Sequence, residues 1–275
     1  MSTRWVGTVA VWVVAGGVAL GQMVAPVCSV PGARHGASAR RAVTARVGHP
    51  TQAEVAATAA AGASDPSVLV AAEPMENFGV ARYRVEDYAD CADGSGCYWA
   101  DLDAQTVRAE TALDAALKAA KPGEKLAMVL DIDETSLTNY CEEKREEFGY
   151  IGSLFNAWLV SPEASMPIPG TLRLFDHARE AGVAVFFITG RPGEQREATA
   201  RNLQAAGYKN WTGLRLRVGD EKRMSTVEYK STERRKIVED GYRIVMNVGD
   251  QWSDLNGEPR GEVSVKLPNP FYYLP

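Results

Sequence analysis

Two aspartates, Asp131 and Asp133, close an apolar run, Leu126 to Leu130, that ends in Asp131-Ile132-Asp133-Glu134-Thr135. On an extended chain residues i and i+2 share a face, so both carboxylates would point the same way. At roughly 4 Å and an effective dielectric near 20, two such charges repel by about 4 kcal/mol. A hard divalent cation with oxygen ligands is the usual way to offset that. The plain alternative is a strand running into an acidic turn. Three later segments add polar groups in similar settings: Thr189 after Val183–Ile188, Lys230 just ahead of a helical stretch, and Asp250 with Asp254 after Arg243–Val248. Together they have a chemical logic. A carboxylate can attack phosphorus and carry the phosphoryl group covalently. A bound cation neutralises nucleophile and phosphate so that they can approach. A lysine and a hydroxyl supply donors for charged oxygens. A second carboxylate protonates the leaving oxygen and then activates water. Singly, each residue has a bland reading as a turn cap, a solvated lysine or a loop acid. Jointly, those readings require four coincidences.

The elements that must position these groups follow from periodicity. Leu126–Leu130 is a short apolar run ending at acids, which reads as a buried parallel strand. Asp103–Ala120 carries apolar residues at helical spacing and stops at Lys121-Pro122-Gly123. Pro169-Gly170 opens a helix through Glu180, closed by Gly182. Val183–Ile188 is the next buried strand, and a helix from about Glu194 to Ala206 closes at Gly207. Leu214–Val218 alternates as a strand. Ser231 is a candidate N-cap for a helix to Asp240. Arg243–Val248 and Val263–Leu267 complete the strands. Strands alternating with helices imply a parallel sheet with right-handed crossovers, and ligands of such sheets bind beyond the carboxyl ends of the strands. An aromatic stretch, Tyr140, Phe148, Tyr150, Phe155 and Trp158, has no clean period; it reads as core or as a small cap over the acids.

The chain has 275 residues and a net charge of −5, room for one sizeable α/β domain and no sign of nucleic-acid or anionic-membrane binding. The charge is uneven: five arginines and one acid precede Asp65, leaving 25 basic and 34 acidic residues beyond it, a net of −9. Residues 1–27, with Arg4 ahead of an apolar run, read as a signal peptide or membrane anchor. Residues 28–74, rich in Ala, Gly, Ser, Val and Pro, read as a disordered low-complexity spacer. Within it Arg34-His35-Gly36 faintly echoes a histidine-phosphatase motif, without the preceding strand. Cys91 and Cys97 bracket a flexible turn and suit a short-loop disulfide in an exported protein. Cys141 is then left over, buried and free or paired between chains. His177 lies mid-helix, far from the strand tips.

The stretches VLDIDETSLTNY, PGTLRLFDHAREAGVAVFFITGRP, VEYKSTERRKI, NVGDQWSDL and LPNPFYYLP resemble the haloacid dehalogenase (HAD) superfamily. Within it they are most similar to the class B and plant-type acid phosphatases, with the bacterial outer-membrane acid phosphatases and the vegetative storage proteins. The resemblance covers about Met75 to Pro275. It implies an α/β fold with a HAD-type Rossmann-like parallel sheet flanked by helices, a small helical and aromatic cap at about 136–168, and an N-terminal helical extension. It implies Asp131 as nucleophile, Asp133 as general acid/base, and Lys230 holding the phosphoryl oxygens. Thr189 and Gly190 would bind phosphate. Asp131, Asp133 (through its carbonyl) and Asp250 would hold the metal, with Asp254 binding it through water or orienting Lys230. Glu134 would be structural, and Arg191 would touch substrate or pair with an acid. The expected activity is a secreted, Mg²⁺-dependent phosphomonoesterase acting on a small phosphomonoester, a nucleoside monophosphate among the candidates. A homodimer is possible, nucleic acid is not a partner, and a membrane is one only if the N-terminal segment stays uncleaved. Competing readings are a phosphotransferase with the same intermediate, a non-catalytic storage or binding protein, and a DxD glycosyltransferase. The last does not explain Thr189, Lys230 or the Asp250/Asp254 pair.

Overall fold

The computed structural model describes residues 50–72, 74–92 and 96–275; the expected signal or anchor, the Arg34-His35-Gly36 stretch and Cys28 lie outside the described residues. In chain order the helices and strands are α1 (Gln52–Ala63), α2 (Phe78–Ala89), α3 (Tyr98–Ala119), β1 (Lys125–Leu130), α4 (Tyr140–Arg145), α5 (Gly152–Leu159), α6 (Pro169–Glu180), β2 (Ala184–Pro192), α7 (Arg196–Ala206), β3 (Gly213–Arg217), α8 (Thr226–Glu239), β4 (Tyr242–Gly249), α9 (Trp252–Leu255) and β5 (Val263–Lys266). All strand pairings are parallel and the sheet order is β3-β2-β1-β4-β5.

β1 sits at the centre because both of its faces are apolar. Leu126, Met128 and Leu130 point into the larger core with Leu113, Leu174, Phe175 and Phe187. Ala127 and Val129 face the opposite way, onto Tyr229, Ile237 and Ile244. Helices α3, α6 and α7 therefore cover one face and α8 the other, as a strand buried on both sides requires. The chain adds β2 and β3 on one side of β1, then crosses to β4 and β5 on the other. The order thus reverses between β1 and β4, the place where open α/β sheets form their ligand crevice. Asp131 follows β1 and Asp250 follows β4.

Several boundaries differ from those read in the sequence. α3 begins at Tyr98, five residues earlier than the periodicity implies. The stretch assigned to spacer contains α1, capped by a reciprocal Thr51–Glu54 box. Its residues are almost all exposed, so it forms by local capping and alanine propensity rather than by packing. The helix carrying Lys230 starts at Thr226, where the Ser225 hydroxyl accepts from the Glu228 amide. Ser231 is therefore an interior residue whose hydroxyl donates to the Glu228 carbonyl, and Lys230 lies in the second turn, buried. The Cys91–Cys97 disulfide is present. Cys141 is also disulfide-bonded, with a partner outside the described residues, which replaces the expectation of an odd thiol.

The aromatic stretch divides. Tyr140 stacks on Phe271, and so does Phe148, with ring centroids 5.3 and 5.9 Å apart. Both are core. Tyr150 is 73 % exposed and touches Phe155 on α5. His177 is a surface residue that pairs with Asp114 at 2.8 Å.

Candidate active site

The turn after β1 is held by its own backbone. The Ile132 carbonyl accepts from the amides of Thr135, Ser136 and Leu137, at 3.3, 2.8 and 2.8 Å. The Ser136 hydroxyl donates to the Asp131 carbonyl at 2.6 Å. To close so tightly, Glu134 takes a left-handed conformation with φ of +52°, which costs a non-glycine residue about 1–2 kcal/mol. Its buried carboxylate compensates by accepting from the Asn139 amide at 2.5 Å and from the Tyr272 hydroxyl at 3.0 Å. The turn also separates the two aspartates that an extended chain would aim together. Asp131 engages Lys230, whereas Asp133 engages Arg191.

Asp131, Lys230 and Asp254 form one buried ion cluster. The Lys230 ammonium contacts Asp131 Oδ1, and it lies 2.8 Å from Asp254 Oδ1. Asp254 Oδ2 accepts the Gln251 amide at 2.8 Å, so both of its oxygens are committed and it orients Lys230. Gly249 makes this possible, because a Cβ there would come within 2.4 Å of the Asp254 Cβ. Asp250 lies beside them. Its Oδ1 accepts from the Thr135 hydroxyl at 3.0 Å, and its Oδ2 accepts from the side-chain amides of Gln251 and Asn269 at 2.8 and 2.7 Å. Burial pushes the Asp131 carboxyl well up, and Asp254, Asp250 and Asp133 push it further against the opposing pull of Lys230. Burial and the neighbouring Asp254 raise Asp250 to about 6. Burial alone would lower Lys230, but Asp131 and Asp254 hold it above the ordinary lysine range.

Oxygens of Asp131, Asp250 and Asp254 all lie within 4.8 Å of one another, the one such acidic group among the described residues. One lysine cannot neutralise three buried carboxylates, so the cluster carries uncompensated negative charge. An all-oxygen donor set of that sign fits a hard divalent cation. The Asp133 carboxylate is outside this group; only its backbone carbonyl remains for such a role.

Asp133 is held by two residues. Arg191 Nη2 and Nε donate to its carboxylate at 2.7 to 3.2 Å, and Asn139 Nδ2 donates at 2.9 Å. Asn139 is itself fixed by Trp158, whose indole N–H donates to Asn139 Oδ1 at 3.0 Å. Arg191, 3 % exposed, also donates to the Leu159 carbonyl and to the Thr199 hydroxyl. The segment between β1 and α6 and strand β2 thus hold one carboxylate between them. Burial would raise Asp133, but the Arg191 guanidinium and its hydrogen bonds, with Asn139, hold it below the usual carboxylate range. Arg191→Met would leave that carboxylate without a cation and is expected to cost roughly 3 kcal/mol at neutral pH. A depressed carboxyl contributes stability above its unfolded pKa of about 4, and that contribution is lost as the pH falls further. Urea midpoints at pH 7 and pH 3 check this; an equal gap between the two proteins at both values would refute it.

Thr189 is fully buried at the end of β2, and its hydroxyl accepts from the Arg191 amide at 3.2 Å. Gly190 is exposed at the same edge, and a Cβ there would meet nothing closer than Arg217 Nε at 3.9 Å. The structure therefore brings Asp131, Lys230, Asp250 and Asp254 into direct contact or close grouping and sets Asp133 one layer aside on Arg191. Asn139, Gln251, Asn269 and Tyr272 were not singled out from the sequence, and Trp158 was named there only within the aromatic stretch. Arg234 was not singled out either; its guanidinium donates to the carbonyls of Asp254, Asn256, Gly257 and Pro259. Of these only the tail residues had a signal, the unusual Pro-Asn-Pro-Phe-Tyr-Tyr ending.

The model of HAD superfamily, subfamily IIIB (acid phosphatase) matches residues 51–275. Acid phosphatase 1 of Solanum lycopersicum is 38 % identical over 149 residues, covering 53 % of this chain and 58 % of the relative. Vegetative storage protein 1 of Arabidopsis thaliana is 35 % identical over 176 residues, covering 63 % of this chain and 64 % of the relative. The chain thus spans about three fifths of the length of these relatives. Among solved structures, the class C acid phosphatase from Bacillus anthracis with tungstate bound superposes with a TM-score of 0.59 at 23 % identity, over 71 % of this chain and 86 % of that one. That likeness establishes the α/β fold.

Proposed function

The chain belongs to the HAD superfamily, subfamily IIIB acid phosphatases, and on that premise we propose that it hydrolyses small phosphomonoesters through a phosphoryl group carried on Asp131. The observation that carries this reading is the split of the two aspartates. Asp131 lies at the β1/β4 crevice against Lys230, and Asp133 is held two residues away on a separate arginine. That split supports one carboxylate as the attacking group and the other as the proton carrier.

In the forward step an Asp131 oxygen bonds to phosphorus as the bond to the leaving oxygen breaks, and Asp133, which must first take up a proton against the pull of Arg191, passes it to that oxygen. In the second step Asp133 takes a proton from water, whose oxygen displaces Asp131 and releases inorganic phosphate. Lys230 holds Asp131 in place and faces the charged phosphoryl oxygens; the Thr189 hydroxyl and the Gly190 backbone supply further donors. A Mg²⁺ ion held by Asp131, Asp250 and the Asp133 carbonyl would neutralise charge on nucleophile and phosphate. Exposed Tyr150, touching half-buried Phe155 on α5, the helix that sends Trp158 to Asn139, supports a planar or apolar leaving group such as a nucleoside. Residues 75–275 would be the working unit. The disulfides at Cys91–Cys97 and Cys141 support an exported protein, since such bonds persist in oxidising compartments. No helix among the described residues is long and apolar enough to cross a membrane.

Phosphate release from a panel of monoesters tests the proposal. Release is expected with Mg²⁺, is expected to fall at least about 100-fold in EDTA, and should return when Mg²⁺ is restored in excess. Absence of metal-dependent release from every monoester would sink it.

A further inference from the structure

The last segment of the chain lies over the acidic cluster, and its side chains are aimed rather than merely packed. After β5 the Leu267 amide donates to the Gly249 carbonyl at 2.9 Å, bringing the tail alongside the end of β4. Phe271 then anchors it. Its ring stacks on Tyr140 and Phe148 and meets Tyr98 edge-on at 5.1 Å. Between these two fixings stands Asn269, flanked by Pro268 and Pro270.

The orientation of the Asn269 amide is settled by its neighbours. Its Oδ1 accepts from the Phe271 backbone amide at 2.8 Å, so its Nδ2 is the group left to donate to Asp250 Oδ2, at 2.7 Å. Gln251 is oriented in the same manner. Its Oε1 accepts from the Leu274 amide at 3.1 Å, and its Nε2 donates to Asp250 Oδ2 at 2.8 Å and to the Tyr272 carbonyl at 3.3 Å. The tail therefore sets two amide donors onto one oxygen of Asp250. That oxygen's two acceptor positions are then filled, while Oδ1 takes one donor, from Thr135. Oδ1 is left as the oxygen with spare capacity.

We propose that Asn269 is a positioning residue for Asp250: the C-terminal segment holds Oδ2 so that the carboxylate presents Oδ1 to the divalent cation. The inference rests on the metal-dependent reading of the site given above. Groups hydrogen-bonded to a metal's own ligands typically contribute 10- to 100-fold in affinity. The tail thus reaches the reaction centre through an amide, independently of the apolar contacts that keep it in place.

Asn269→Ser separates the two roles. Serine can still accept from the Phe271 amide but is too short to reach Asp250, and Phe271 stays seated. Calorimetric titration of Mg²⁺ into the full chain is expected to show affinity weakened about 10- to 100-fold, with the thermal midpoint within a few degrees of the parent and phosphate release largely recovered at saturating Mg²⁺. Asn269→Ala, which also removes the local acceptor, should weaken affinity at least as much. Affinity within twofold of the parent in folded Asn269→Ser would overturn the inference. If the parent protein itself binds no divalent cation, it is the metal-dependent reading that fails.

Discussion

Asp131→Asn is expected to reduce phosphate release by at least about 10⁴-fold, the scale on which removal of a nucleophile is felt, while the protein stays folded. The amide matches the carboxylate in size, so the buried space around it stays filled. Lys230 keeps Asp254 as a counter-ion at 2.8 Å, so no cation is stranded. The substitution also removes one of three crowded carboxylates, whose repulsion burial intensifies. Stability in the absence of metal should therefore be unchanged or higher, an unusual sign for a change at a fully buried polar position. Steady-state turnover with a chromogenic aryl phosphate and a thermal melt without metal check both halves. A variant retaining a tenth of parental turnover would remove Asp131 from the nucleophile role. A large fall in melting temperature would show that its charge is needed for folding.

Arg234→Leu is expected to be strongly destabilising, by roughly 3–5 kcal/mol. Arg234 is fully buried on α8. Its guanidinium satisfies four carbonyls at once, those of Pro259, Asp254, Asn256 and Gly257, at 2.7, 2.7, 2.6 and 2.8 Å. Those carbonyls belong to α9 and to the loop leaving it, which turns through Gly257 at φ of +79° and has little regular structure of its own. Leucine would fill part of the volume and leave four acceptors dry. Lysine should recover a minor part, since one ammonium cannot reproduce a planar fork of five donors. Because the Asp254 carbonyl is among the four, the change also loosens the carboxylate that orients Lys230, and activity should fall with stability. Urea unfolding measures the first effect; a loss below 1 kcal/mol would refute the assignment.

These two residues mark how far the sequence could be read. Asp131 was legible because a buried strand ending in acids is a local pattern, carried by a few consecutive residues. The same holds for α6, whose start at Pro169 and end at Glu180 agree with the proline and glycine that bracket it. Arg234 was not legible. A lone arginine in a charged helix looks like a solvated one, and its four acceptors lie 20 to 25 residues further on. Lys230 falls between: its residue type was informative, yet its place inside α8 was decided by which face of the helix the sheet buries.

By itself the sequence determined the order of the five strands and of α3, α6, α7 and α8 between them, and the polar residues at the strand tips, because each depends on local side-chain pattern. Tertiary structure alone decided the partners. It turned Asp133 onto Arg191, divided the aromatics between core and surface, and laid Asn269 and Tyr272 over the site. The reason is distance along the chain. Thr135 meets Asp250 across 115 residues and Glu134 meets Tyr272 across 138, and contacts of that span are set by how the crossovers stack the layers, not by any pattern within a turn or a strand.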